Sequence, residues 1–131
     1  MSVSASFSLY PYLIISSYRM EKYYKNPSEI FELLAFHEAG HLFGLPNRAR
    51  EGIEEVLGTH CRRIDCAMSQ VEVRRNVLYP SGGEGKKYVS AGETWDFVSE
   101  RLRKTGSPFC ERCLKDLKEN KRILEVFLFN V

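Results

Sequence analysis

The sequence predicts an α+β fold in a single domain, residues 1–131. A small sheet packs on a helix carrying paired histidines, and a helical second half is tied together by cysteines. Three observations predict it. A β-branched and aromatic run, Tyr12 to Arg19, precedes a helix-start signal at Asn26-Pro27-Ser28-Glu29. The helix that follows carries His37-Glu38-Ala39-Gly40-His41. Four cysteines, Cys61, Cys66, Cys110 and Cys113, divide between a loop and the start of a late helix. The chain of 131 residues is near the common domain size and long enough for a modest core.

The elements follow in order. Residues 1–44 read as strand plus helix. Pro11 precedes the strand YLIISSYR. Asn26 suits an N-cap, Pro27 the first helical position, and Glu29 a capping-box contact. The helix runs to about Phe43, where Gly44 is placed to end it in the left-handed conformation. Ile30, Leu34, His37 and His41 fall on one face. Residues 45–131 read as the lower part. A charged excursion has a short helix from Arg48 to Leu57. Val71 to Tyr79 alternates as a strand does, and Ser81 to Gly85 forms a turn. Helices are expected over Ala91–Lys104, capped from Ser90, and over Phe109–Lys121. The apolar tail from Ile123 to Val131 reads as a strand.

Composition excludes several classes of partner. A net charge of +2 gives no electrostatic footprint for nucleic acid. No apolar run approaches the roughly 20 residues of a membrane span. The first ten residues hold no lysine or arginine, so they lack a secretory n-region, and no lipidation motif is visible. The expectation is a soluble cytoplasmic protein with no nucleic-acid or membrane partner, in which an oligomer remains open.

The chemistry lies in the metal-ligand inventory: His37, His41 and His60, and the four cysteines. Histidines four apart on a helix share a face, roughly 6 Å apart, so both imidazoles reach one Zn²⁺ at about 2 Å. Zinc held there activates a water and polarises a carbonyl. Glu38, next to His37, is placed to take the water's proton and pass it to a leaving amine. Such a site needs a third protein ligand and one open position. Asn47 occupies the place where HExxHxxGxxH would put a third histidine, and amide oxygens are rare zinc ligands. Glu54 or Glu55 could serve. His60 is the strongest candidate, being the remaining histidine.

Four thiolates at about 2.3 Å make a closed tetrahedral zinc site. Two disulfides, or a zinc-ribbon binding module, are the alternatives. Without a secretory signal, and with the close Cys110-x-x-Cys113 pair, metal is the better reading.

The string HCRRIDCAM, residues 60–68, together with HEAGHLFG and CERC, resembles the archaemetzincins (archaelysins), a family of metzincin zinc peptidases. Their pattern is HExxHxxGxxHCxxxxCxM followed by CxxC. His37, Glu38, His41 and Gly44 match its first part. His60, Cys61, Cys66 and Met68 match the second with unchanged spacing, and Cys110 and Cys113 the last. The resemblance covers residues 8–121 and uses every histidine and cysteine of the chain.

It implies a truncated metzincin-like catalytic domain with two Zn²⁺ per chain. One is catalytic, on His37, His41 and His60 with Glu38 as general base and acid. The other is structural, on Cys61, Cys66, Cys110 and Cys113. It also implies a Met-turn at Met68 and a peptide or protein substrate lying along the strand before the helix. The chain departs from the pattern in three places. Fifteen residues, Leu45 to Thr59, stand between Gly44 and His60, which reads as an insertion looping out and back. The spacer from Met68 to Cys110, 41 residues, is longer than the family's. The part before His37 is shorter. Two functions follow: a zinc peptidase, or a non-catalytic two-zinc domain that holds a fold or binds a partner.

Overall fold

The computed structural model describes residues 5–7, 13–15, 27–55, 58–70, 77–80, 83–85 and 91–129. Its element order is strand β1 (Ala5–Phe7), strand β2 (Leu13–Ile15), helix α1 (Pro27–Leu42), strands β3 (Ile53–Glu55) and β4 (Thr59–Cys61), then helices α2 (Ala91–Thr105) and α3 (Glu111–Phe129). This is an α+β arrangement. The cap positions Asn26 and Ser90, and most of the expected 71–79 strand, lie outside the described residues.

β1 and β2 form an antiparallel pair with Ser6 opposite Ile14, and β2 lies alongside α1. Pro27 opens α1 with its φ already helical and no N–H to satisfy, and Glu29 places a carboxylate in the positive first turn. The helix ends as a Schellman motif. Gly44 sits at φ 77°, its N–H donates to the His41 carbonyl, and the Leu45 N–H donates to the Gly40 carbonyl.

α1 buries Ile30, Leu33 and Leu34 against Trp95 and Val98 of α2 and against Ala67, with Phe36, Leu102 and Phe109 packed around them. Burying one such leucine contributes about 1.5–3 kcal/mol. This core fixes α1 on the second half of the chain, and so fixes the histidines relative to the loop of residues 60–68.

Two expectations are corrected. The excursion after α1 is not a helix over 48–57. It turns through residues 48–52 and returns as the β3–β4 hairpin, with Ile53 opposite Cys61, Glu54 opposite His60 and Glu55 opposite Thr59. Gly52 at φ 77° gives a left-handed residue where a helix would need a right-handed one. The tail is not a strand, because α3 continues unbroken to Phe129. Neither Gly nor Pro interrupts it after Lys121.

The 60–68 loop is fastened on several sides. The Cys61 N–H donates to the Met68 carbonyl, and the Ala67 N–H to the Pro108 carbonyl just ahead of α3. Asp65, buried, accepts two N–H groups of Arg101 of α2 on Oδ2 and a bidentate pair from Arg63 across both oxygens. Arg101 also reaches Glu111 at 3.4 Å. A carboxylate this deep needs such partners, since an unpaired buried charge costs several kcal/mol.

Candidate metal centres

α1 presents His37 and His41 one turn apart, and the β3–β4 hairpin brings His60 to them. The ring centroids stand 4.7, 5.0 and 5.3 Å apart, nearly an equilateral triangle. The three residues offer ligand nitrogens that all lie within 4.8 Å of one another. His37 and His60 are buried and His41 is partly open.

The tautomers follow from the partners. His37 Nδ1 faces the Ala67 carbonyl at 2.5 Å, His41 Nδ1 the Leu45 carbonyl at 3.1 Å, and His60 Nδ1 the Gly58 carbonyl at 3.2 Å. A carbonyl only accepts, so each Nδ1 carries a hydrogen and donates it. The second nitrogen of each neutral ring then presents a lone pair. Burial and the neighbouring imidazoles lower the His37 pKa to about 3, and burial lowers that of His41. Both rings are therefore neutral near pH 7. His37 Nε2 and His41 Nε2 nonetheless lie 3.2 Å apart. Two lone pairs at that distance repel unless a cation lies between them, so the donor set suits a metal ion.

Glu38 stands beside this cluster. Its Oε1 is 3.9 Å from His37 Nε2, and burial raises its carboxyl above the ordinary value. Of the acidic residues weighed as a third ligand, Glu55 lies on the surface, accepting from Thr59 Oγ1 at 2.9–3.0 Å. Glu54 is buried as the cross-strand neighbour of His60, but it is not one of the three residues whose ligand atoms converge. Asn47 has a different place. Its N–H donates to Asp116 and its side-chain oxygen accepts from Asn120, which ties the end of α1 to α3.

The second centre begins one residue after His60. Cys61, Cys66, Cys110 and Cys113 are all buried, all free, and mutually within 4.8 Å. The Cys61–Cys110 sulfurs stand 3.8 Å apart and the Cys66–Cys113 sulfurs 3.6 Å, far beyond the ~2.05 Å of a disulfide. Cys110 stands immediately before α3 and Cys113 in its first turn, where the helix dipole favours thiolate. The Cys110 N–H donates to Cys66 Sγ at 3.3 Å. Burial pushes the Cys66 thiol well above its ordinary value. Four thiolates together therefore require a cation among them.

Met68 is fully buried in the cysteine cluster and also touches α1. A Cβ added at Gly40 would stand 2.2 Å from Met68 Sδ, so the glycine of HEAGH is where the loop meets the helix. Sequence reasoning missed that contact, and it missed the Ala67 carbonyl, Arg50 and Asp116. The mid-helix glycine was the one visible signal.

Among the described residues, no helix is long and apolar enough to cross a membrane. Compared with protein families, with curated proteins and with solved structures, the chain gives no match.

Proposed function

We propose that this protein is a zinc-dependent peptidase of archaemetzincin type, acting on peptides or proteins. His37, His41 and His60 would hold the catalytic zinc, and the four cysteines a structural one. The observation that carries the reading is the convergence of three imidazoles beside a buried glutamate.

Both donor sets fit zinc by size. In a tetrahedron with ligands at about 2.0–2.1 Å the nitrogens stand about 3.3 Å apart, and at about 2.3 Å the sulfurs stand about 3.8 Å apart. The His37–His41 nitrogens at 3.2 Å and the cysteine sulfurs at 3.6 and 3.8 Å agree. Zinc supplies Lewis acidity, activating a water and polarising the scissile carbonyl. The remaining work belongs to the chain. The Ala67, Leu45 and Gly58 carbonyls set the tautomer of each histidine. Glu38 takes a proton from the attacking water and returns it to the leaving amine. Its raised pKa brings it nearer to working pH, as a general acid–base group requires.

The test pairs two variants. Wild type should contain two zincs per chain by elemental analysis, falling towards one in His60→Ala. Glu38→Ala should keep both zincs and lose roughly 10²–10⁴-fold in hydrolysis of a mixed peptide library. Equal background release from wild type and Glu38→Ala sinks the peptidase. A two-zinc domain without catalysis then takes its place.

A further inference from the structure

Arg50 lies in the excursion between α1 and β3, the stretch that separates this chain from the archaemetzincin spacing. Its guanidinium is used on every side. Nε donates to Asp116 Oδ2 at 2.6 Å, and Nη1 to the Glu51 carbonyl at 2.9 Å. Nη2 donates to Cys113 Sγ at 3.0 Å and stands 3.9 Å from Cys61 Sγ.

We propose that Arg50 is a positioning residue of the cysteine metal centre. Its N–H···S contacts fix the positions of the Cys113 and Cys61 sulfurs, and its fork locks the His60-bearing hairpin to that centre. The proposal rests on the reading that the four cysteines bind a metal.

The physical case has three parts. Four thiolates around a divalent ion leave a net charge of −2 in a fully buried cluster, and a cation touching the sulfurs lowers the cost of holding it there. Asp116, itself buried, fixes the guanidinium plane so that Nη2 aims at the sulfurs. The same carboxylate oxygen accepts the Asn47 N–H at 3.1 Å, so one acid on α3 anchors two points of the excursion. Arginine alone suits this place, because its rigid fork reaches carboxylate and sulfur at once, whereas a lysine ammonium is a single point. Cys61 adjoins His60, so what steadies one centre also steadies the third arm of the other.

The experiment uses the full chain loaded with Co²⁺. Thiolate-to-cobalt charge transfer reports the cysteine centre separately from the imidazole site, and chelator competition gives its affinity. Arg50→Gln should weaken the centre roughly 10–100-fold, the usual effect of losing a group that supports a metal ligand. Arg50→Lys should fall between wild type and the glutamine variant. Arg48→Gln, which removes an exposed arginine of the same excursion, should match wild type. Equal affinity in Arg50→Gln and wild type overturns the proposal. Equal loss in the lysine and glutamine variants overturns it too, by removing the role of charge. Should the glutamine chain fail to fold, Arg50→Lys alone must bind more weakly than wild type, and equality is again fatal. No charge-transfer band in wild type would instead remove the metal reading on which the proposal stands.

Discussion

The two centres share one peptide bond, between His60 and Cys61, yet their surroundings differ. All four cysteines are buried, with no exposed edge. The histidine cluster keeps one partly open member, His41, and has a carboxylate beside it. A closed set of four like donors is an arrangement for holding a fold together. A three-donor set with an open side and an adjacent acid–base group leaves room for a reacting molecule. Adjacent residues thus enter environments suited to different work, and the difference comes from what packs around them rather than from the local sequence.

The largest effect should come from breaking the closed centre. Under the proposed reading these cysteines would hold a zinc whose binding adds to the folding free energy. Cys66→Ser should lower the midpoint of the cooperative thermal transition followed by circular dichroism further than any substitution named below. His41→Ala should retain that transition and lose only the other metal. Similar melting of the two variants would erase the distinction between the centres.

A smaller effect is expected at the support between them. Asp65→Asn leaves Arg101 and Arg63 facing a neutral group in a buried setting, at a cost of about 3–5 kcal/mol by urea unfolding. Below that comes Gly40→Ala. The new methyl drives into Met68, and overpacking of this sort costs about 1–3 kcal/mol. Because the clash lies where the loop meets α1, metal retention at the histidines should fall along with stability. Unchanged metal content would show that Met68 yields without disturbing them.

The gentlest probe is pH, applied to metal-free protein. His37 has an ordinary pKa of 6.5 and a folded one of about 3, so its contribution to stability is complete above pH 6.5. It is lost as pH falls from there towards 3, where the unfolded chain takes up a proton that the folded one refuses. Cys66 behaves oppositely. Its folded thiol is raised above 9.0, so its contribution is complete below pH 9 and is lost as pH rises beyond it. Urea midpoints measured across the pH range should fall at both ends. A flat acid limb would contradict the buried neutral state of His37.

How legible this was in the sequence varied with distance along the chain. The seven histidine and cysteine donors could be named because ligand types are few and the chain holds no other histidine or cysteine. α1 could be bounded closely because Pro27 and Gly44 act within their own turns. The first strand of the hairpin, β3, falls inside the stretch Arg48 to Leu57 that reads as a helix, since a strand of three residues shows no periodicity and so charged a stretch suits a helix equally well. The tail reads as a strand from its apolar, β-branched character, although nothing in it stops a helix already under way. Asp65 with Arg101, Arg50 with Asp116, and Ala67 with His37 all join residues at least 30 positions apart. Such pairings are settled by tertiary packing and leave no trace in a local pattern.

The bond from Ala67 to Pro108, and the two sulfurs from Cys110 and Cys113, have a consequence for synthesis. All three histidines leave the ribosome well before these partners. A nascent or prematurely ended chain therefore holds the complete imidazole set without the buttress that orients it. The stretch that carries Pro108, Cys110 and Cys113 thus sets the order of assembly, and the imidazole set stays unbuttressed until that stretch has been made.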